Sequence, residues 1–300
     1  MASSVRLWRA IHSRRSVRRH RRAGIGLVAM VATCASLASA QAGDGAIRLV
    51  LHPRAGDTLH TRMEQQTEMS SMPTAAGIAP SAGTMRTMST TVSIEARTIV
   101  QVSYPATTVV LTIVDAAHVT SSDPHASALI ADTERALQGQ QLLLHLASDG
   151  SVARAEDARG GKVSRDAAAA MSAMPAVFPR DPVRIGDKWT REMPLPSGGP
   201  LGSRGRAHVR SVFRLDSLSR SGIAYISMRG EILPDDDGEV QPLTGTITGA
   251  MQVDRARGWM TDSRVVIVLR SLFVPMGASG SAPMRIVTRV TQRLRTMDKR

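Results

Sequence analysis

Across most of residues 59–120 and 207–296 the chain alternates apolar and polar side chains with a period of two. Successive side chains of a strand point to opposite sides, so this period marks extended segments that bury one face and wet the other. The first run sets Leu59, Thr61, Met63, Gln65, Thr67 and Met69 against His60, Arg62, Glu64, Gln66, Glu68 and Ser70. A second carries Met88, Val92, Ile94, Ala96, Val100 and Val102 at even positions, and a third sets Val109, Leu111, Ile113 and Val119 on one face. After residue 200 the pattern returns through Val209, Phe213 and Leu215, then Ala224, Ile226, Met228 and Ile232, then Leu243, Ile247, Met251 and Val253. Val265, Ile267, Leu269 and Phe273 mark the next strand, and Met284, Ile286, Val290 and Leu294 the last. Many of these runs exceed the usual strand length of about five or six residues. Long neighbouring strands twist and curl, so the expected fold is mainly β (α+β): a long curved antiparallel sheet or open half-barrel.

Two short helices are expected between the strand blocks. Asp123-Pro124 reads as a cap with proline in the first turn, and Gly139 as the stop, with Leu129, Ile130, Thr133 and Leu137 facing the sheet. Ser164 caps the second, which runs to Met174 before Pro175. Between them Leu142, Leu144 and Leu146 lead through an Asp149-Gly150 turn to Val152, a hairpin. Arg220-Ser221-Gly222 and Arg257-Gly258 stand where tight turns are needed. Arg54-Ala55-Gly56-Asp57-Thr58-Leu59 recurs as Arg184-Ile185-Gly186-Asp187-Lys188-Trp189, each copy opening a strand after a proline. The echo divides the expected domain, 41–300, into strand-rich halves 46–120 and 183–296 joined by 123–178.

The formal charge of +13, from 38 Lys plus Arg against 25 Asp plus Glu, invites a nucleic-acid reading that its distribution removes. Residues 1–22 hold eight arginines and no acid, and residues 23–40 carry no charge and end Ala38-Ser39-Ala40. That is the layout of an export leader, 1–40, cleaved before Gln41. Val31-Ala32-Thr33-Cys34 offers a second processing site, a lipoprotein box whose Cys34 would be lipidated, although Thr33 departs from the small residue that box prefers. The expected location is the periplasm or the exterior, with membrane anchoring if Cys34 carries lipid. Of the remaining charges, residues 285–300 hold six basic side chains and one acid, and residues 41–284 balance at 24 against 24. Binding to nucleic acid wants a broad basic face, and only 3% of residues are aromatic, so no nucleic-acid partner is expected.

No nucleophile elbow, zinc-protease helix, phosphate loop or dinucleotide fingerprint occurs after the leader. Gly198–Gly205 contains a proline and leads into a strand, and Asp235–Glu239 lacks the alternate spacing of a calcium loop. Asp115 and His118 differ in strand parity and are expected on opposite faces, which keeps them from sharing a metal with Asp123 and His125. The pairs Met69/Met72, Met85/Met88 and Met171/Met174 have thioethers that suit Cu(I), but filling of a curved sheet or lining of an adaptable groove accounts for them more simply. No cofactor, metal or catalytic residue is assigned. Arg285, Arg289, Arg293 and Arg295 share one face of the last strand, which would suit an anionic membrane surface, or simply a solvated face that discourages edge pairing.

Pro182-Val183-Arg184-Ile185-Gly186-Asp187-Lys188-Trp189 resembles the Pro-Val-x-x-Gly-Asp-x-Trp signature of an uncharacterised bacterial family of exported β-rich proteins, with Pro182, Val183, Gly186, Asp187 and Trp189 at its fixed positions. The resemblance implies a structural role for those residues and carries no activity with it. The order of long strands and two helices is also similar to the half-barrel of periplasmic lipoprotein carriers, which implies a groove for a lipid or another apolar ligand. The expected function is a non-catalytic envelope protein holding an apolar or amphipathic ligand in its sheet. The alternative is a ligand-free structural or interaction module.

Overall fold

A computed structural model describes residues 45–74, 86–159, 177–194, 207–234, 243–273 and 283–297. The expected leader with Cys34, the expected helix 164–174, and the segments 198–205 and 235–239 lie outside the described residues. Eleven strands and one helix follow in the order β1 (Thr58–Pro73), β2 (Arg86–Ser103), β3 (Thr107–Ser121), α1 (Ser127–Leu137), β4 (Gln141–Ala147), β5 (Val152–Asp157), β6 (Lys188–Pro194), β7 (Ala207–Leu218), β8 (Ile223–Pro234), β9 (Thr244–Asp254), β10 (Trp259–Phe273) and β11 (Met284–Met297). They form one open antiparallel sheet in the order β5-β4-β3-β2-β1-β11-β10-β9-β8-β7-β6. Two five-stranded meanders thus meet through β11, which pairs with β1 on one side and β10 on the other. The sheet is an unclosed half-barrel, and β5 and β6 are its edges.

The alternation fixes which side of the sheet is inner. Phe213, Leu215, Ala224, Ile226, Ile232, Ile247, Met251 and Val253 lie on one face across β7, β8 and β9 and are all buried. The face opposite carries His208, Arg210 and Arg214 on β7 and Thr244, Thr246 and Thr248 on β9. Leu49, Leu51, Phe178 and Val183 pack into the same core from outside the sheet. The chain reaches this position through backbone pairing: Ile47 and Val183 exchange hydrogen bonds at 2.8 Å, the Leu51 N–H donates to Ser148 O, and the His52 N–H donates to Arg257 O. Residues 47–53 therefore tie the β4–β5 turn to the β9–β10 turn across the mouth of the half-barrel. Gly258 makes the crossing feasible: it sits at φ +63°, and a Cβ there would collide with the carbonyl of Val50.

Bulges correct two of the face assignments. Asp115 is an extra residue in β3, because Ala96 faces Val114 while Glu95 faces Ala116. The pleat changes parity there, so Val110, Thr112 and Val114 share the inner face with Val119, whereas Val109, Leu111 and Ile113 point outward. Gln101 is a second extra residue and turns Val102 away from the face of Val100. Alternation in sequence cannot reveal a bulge, since the residue types remain compatible with either register.

Helix α1 also departs from expectation. Its N-cap is Ala126, with no capping side chain. Asp123 and Pro124 instead form a turn ahead of it, in which the Ala126 N–H donates to Asp123 O and the His125 N–H to the Asp123 carboxylate. Pro124 thus satisfies its fixed φ inside a turn and not in the first turn of a helix. No residue of α1 is buried, and Leu129, expected against the sheet, is 70% exposed. Glu134 holds the helix to β3 by accepting the Val119 N–H at 2.7 Å. That bond satisfies a β3 backbone donor beyond the end of β4.

Candidate functional site

The largest buried cluster extends across β6 to β10 and takes in Leu146 of β4, while on the inner face of β1, β2 and β3 a second set, Leu59, Ala96, Val100, Val110 and Val114, is buried toward one end of the strands. The fully and partly buried members of the largest cluster reach Val265, Ile267 and Leu269 of β10 and include no residue of β1, β2 or β11. Register continues the inner face beyond that boundary. Met63, Gln65, Thr67 and Met69 of β1 lie between Ile94, Val92, Thr90 and Met88 of β2 and Leu294, Gln292, Val290 and Thr288 of β11. Most of these side chains are only half-buried, and Met88 is 39% exposed. Gln292 is oriented by its amide, which donates to the sulfur of Met63 at 3.1 Å.

This surface sets the polar side chains Gln65, Thr67 and Gln292 between Met63 and Met69, with Ile94, Val92 and Met88 along the β2 side, and Thr288 is buried. Met69 and Met88 face each other across the β1–β2 ladder, while Met72 lies opposite Arg285 on the outer face. The Met69/Met72 spacing therefore puts the two sulfurs on opposite sides of the sheet. Met85, Met171 and Met174 lie outside the described residues. Unbranched thioethers adapt their shape to a neighbour at little energetic cost, which suits a surface meeting a variable apolar group.

Other clusters resolve into structural pairs. Asp115 and His118, expected on opposite faces, both lie outward because of the bulge: Asp115 pairs with Arg97 at 3.2 Å, and His118 with Glu134 at 3.0 Å. Among the described residues no three His, Cys, Asp or Glu side chains converge on one point. A cleft of about 160 Å³ at the turn-bearing rim is lined by Asp57, His60, Arg257 and Met297. It is smaller than the few hundred Å³ of an ordinary ligand pocket.

The motif residues build the edge of the filled half. Gly186 takes φ +96°, and the Asp187 carboxylate accepts the Arg184 N–H at 2.8 Å. Val183 is buried, and the Trp189 ring stacks on Phe213 with centroids 5.7 Å apart. The Trp189 indole N–H donates to Val177 O at 2.9 Å, and Arg191 donates to Phe178 O. Pro182 stays exposed. On the outer face, Arg293 and Arg295 both reach Asp262, at 3.7 and 3.3 Å. The four arginines of β11 thus share a face as expected, but among the described residues a carboxylate partner, Asp262, holds only the two nearest the C-terminus. Sequence reading missed the packing role of residues 47–53, although Ile47, Leu49 and Leu51 alternate with Arg48, Val50 and His52 and could have been read as a short extended segment.

A model of a family of unknown function (DUF6263) matches residues 164–260. No curated protein matches the chain. Among solved structures the chain is similar to the outer membrane protein OprG from Pseudomonas aeruginosa, at 9% identity over 83% of this chain and 99% of that one, with a TM-score of 0.14. A likeness that weak carries no argument. Among the described residues no helix is long and apolar enough to cross a membrane. The chain is thus similar, over about a third of its length, to a family whose function is unknown.

Proposed function

We propose that this is an exported, non-catalytic protein of the cell envelope that binds an apolar or amphipathic ligand against the inner face of β1, β2 and β11. The observation that supports the reading most directly is the contrast within one face. Phe213, Leu215 and Ile226 are sealed beneath Leu49, Leu51 and Phe178, while Met63, Met69, Met88 and Val290 stay half-open. Apolar surface left in water is unfavourable by about 25 cal/mol per Å², so a contiguous patch of it favours a partner that covers it. Gln65, Gln292 and Thr67 would meet the polar portion of an amphipathic guest. The basic leader and apolar run of residues 1–40 support export.

Native mass spectrometry of the protein recovered from the envelope tests this directly, with a co-purified lipid or acyl chain as the expected result. The double variant Met69→Glu with Val290→Glu places two charges on the open face. It should lower uptake of a fluorescent fatty acid by about tenfold or more, the equivalent of about 1.4 kcal/mol, while the thermal transition stays within a few degrees. A bare mass, together with no saturable uptake of the probe, would exclude the reading.

A further inference from the structure

We infer that the outer face of β10 and β11 is a docking surface for an anionic lipid bilayer, built from Arg264, Arg270, Arg285 and Arg289. The register assembles it from two strands. Leu272 lies opposite Arg285, Arg270 opposite Val287, Val268 opposite Arg289, and Arg264 opposite Arg293. All four named arginines are exposed. None has a carboxylate partner among the described residues, in contrast to Arg293 and Arg295 on Asp262. The nearest acid in register is Glu68, opposite Arg289, and the Gln66 amide already donates to its carboxylate at 3.0 Å.

The kind of partner follows from what lies between the charges. Val266, Val268 and Val287 alternate with the arginines, and Leu272 is 39% exposed. A solvated face would carry polar side chains there, and a nucleic-acid surface would use aromatic rings or amides between its cations. Arginines interleaved with aliphatic side chains match a bilayer interface, where guanidinium groups meet phosphates and short apolar groups settle among the headgroups. The neighbouring β9 positions, Thr244, Thr246 and Thr248, are uncharged, and the first acid beyond them is Glu231 of β8, one strand further out opposite Thr246. This surface lies on the opposite face from the proposed ligand site and does not depend on it.

Flotation with vesicles tests the assignment, using protein recovered from the envelope. Vesicles of phosphatidylglycerol and phosphatidylcholine mixed at about 3:7 are compared with pure phosphatidylcholine at low salt. Each basic residue near an anionic surface contributes about fivefold, so changing all four arginines to Gln should reduce the preference for the mixed vesicles by about several hundred-fold. Leu272→Glu should reduce it as well, and the Arg293→Gln, Arg295→Gln control should leave it nearly intact. Circular dichroism and the unfolding midpoint confirm that each variant folds. An unchanged preference in the quadruple variant overturns the proposal. So does a wild-type protein without preference for the mixed vesicles that instead binds duplex DNA through the same arginines.

Discussion

In the half of the sheet that begins with β1, the Gly56 N–H donates to Val100 O, Val100 N–H donates back to Asp57 O, and the Asp57 carboxylate accepts the Arg54 N–H. In the half that begins with β6, Gly186, Leu215, Asp187 and Arg184 make the same bonds, all between 2.7 and 3.1 Å. The likeness reaches the following strand, where a bulge falls one residue beyond the acceptor in both halves, at Gln101 and at Asp216. The two halves then diverge in what covers them. Residues 47–53 and 177–183 fill the inner face of the second half, and the first half keeps Met63, Met69 and Met88 half-open. One local plan therefore serves a face that is filled across β7 to β9 and a face that is buried at Leu59, Val100 and Val110 but half-open at Met63, Met69 and Met88.

The largest effect should come from the filled half. Phe213 is 0% exposed and stacks on Trp189, so Phe213→Ala should cost about 3–5 kcal/mol. The matched change in the open half is Met69→Ala, at a half-buried position. It should cost under about 1 kcal/mol, because little packing is lost and no closed cavity forms. Urea unfolding of the two variants measures the difference. Equal losses would mean that the open face is sealed in solution.

Gly258 and Gly56 sharpen the same contrast at the level of the backbone. Both have positive φ, but a Cβ on Gly56 meets open space, whereas one on Gly258 meets the Val50 and Leu51 backbone. Gly56→Ala should cost about 1–2 kcal/mol, the conformational penalty alone. Gly258→Ala should cost about 1–2 kcal/mol more, because it also drives residues 47–53 off the turn, and it should speed amide exchange at Leu51 and His52. Slow exchange at those two amides in the variant would break the link between Gly258 and the crossing segment.

Much of this architecture was legible in the alternation because one face of nearly every strand is buried or half-buried, and a period of two then has a single satisfactory register. Ile226, Ile232, Val253 and Leu294 occupy the faces their positions implied. Val109, Leu111 and Ile113 did not, because Asp115 adds a residue that composition alone cannot reveal. Leu129 misled for another reason: a helix held by one carboxylate to a strand edge needs no apolar stripe. The open face was legible only in part. The methionines were visible, but whether their strand lies under a lid depends on contacts between residues more than 100 positions apart, such as Ile47 with Val183.

The smallest effect separates the two turns themselves. Asp187 is exposed and serves its own loop, accepting the Arg184 N–H. Asp57 performs the same task and also faces Arg257 at 3.6 Å, across the rim from the β9–β10 turn. Replacing either with Asn keeps a side-chain acceptor for the turn amide and removes the charge. Asp187→Asn should therefore change stability by less than about 0.5 kcal/mol. Asp57→Asn loses an ion pair as well, one with its arginine half in water, which adds no more than about 0.5 kcal/mol and only at low salt. Unfolding each variant at low and at high ionic strength reads the distinction. A salt-dependent loss confined to Asp57→Asn assigns the extra contact to the rim, and a loss shared by both variants would place the charge requirement in the turn.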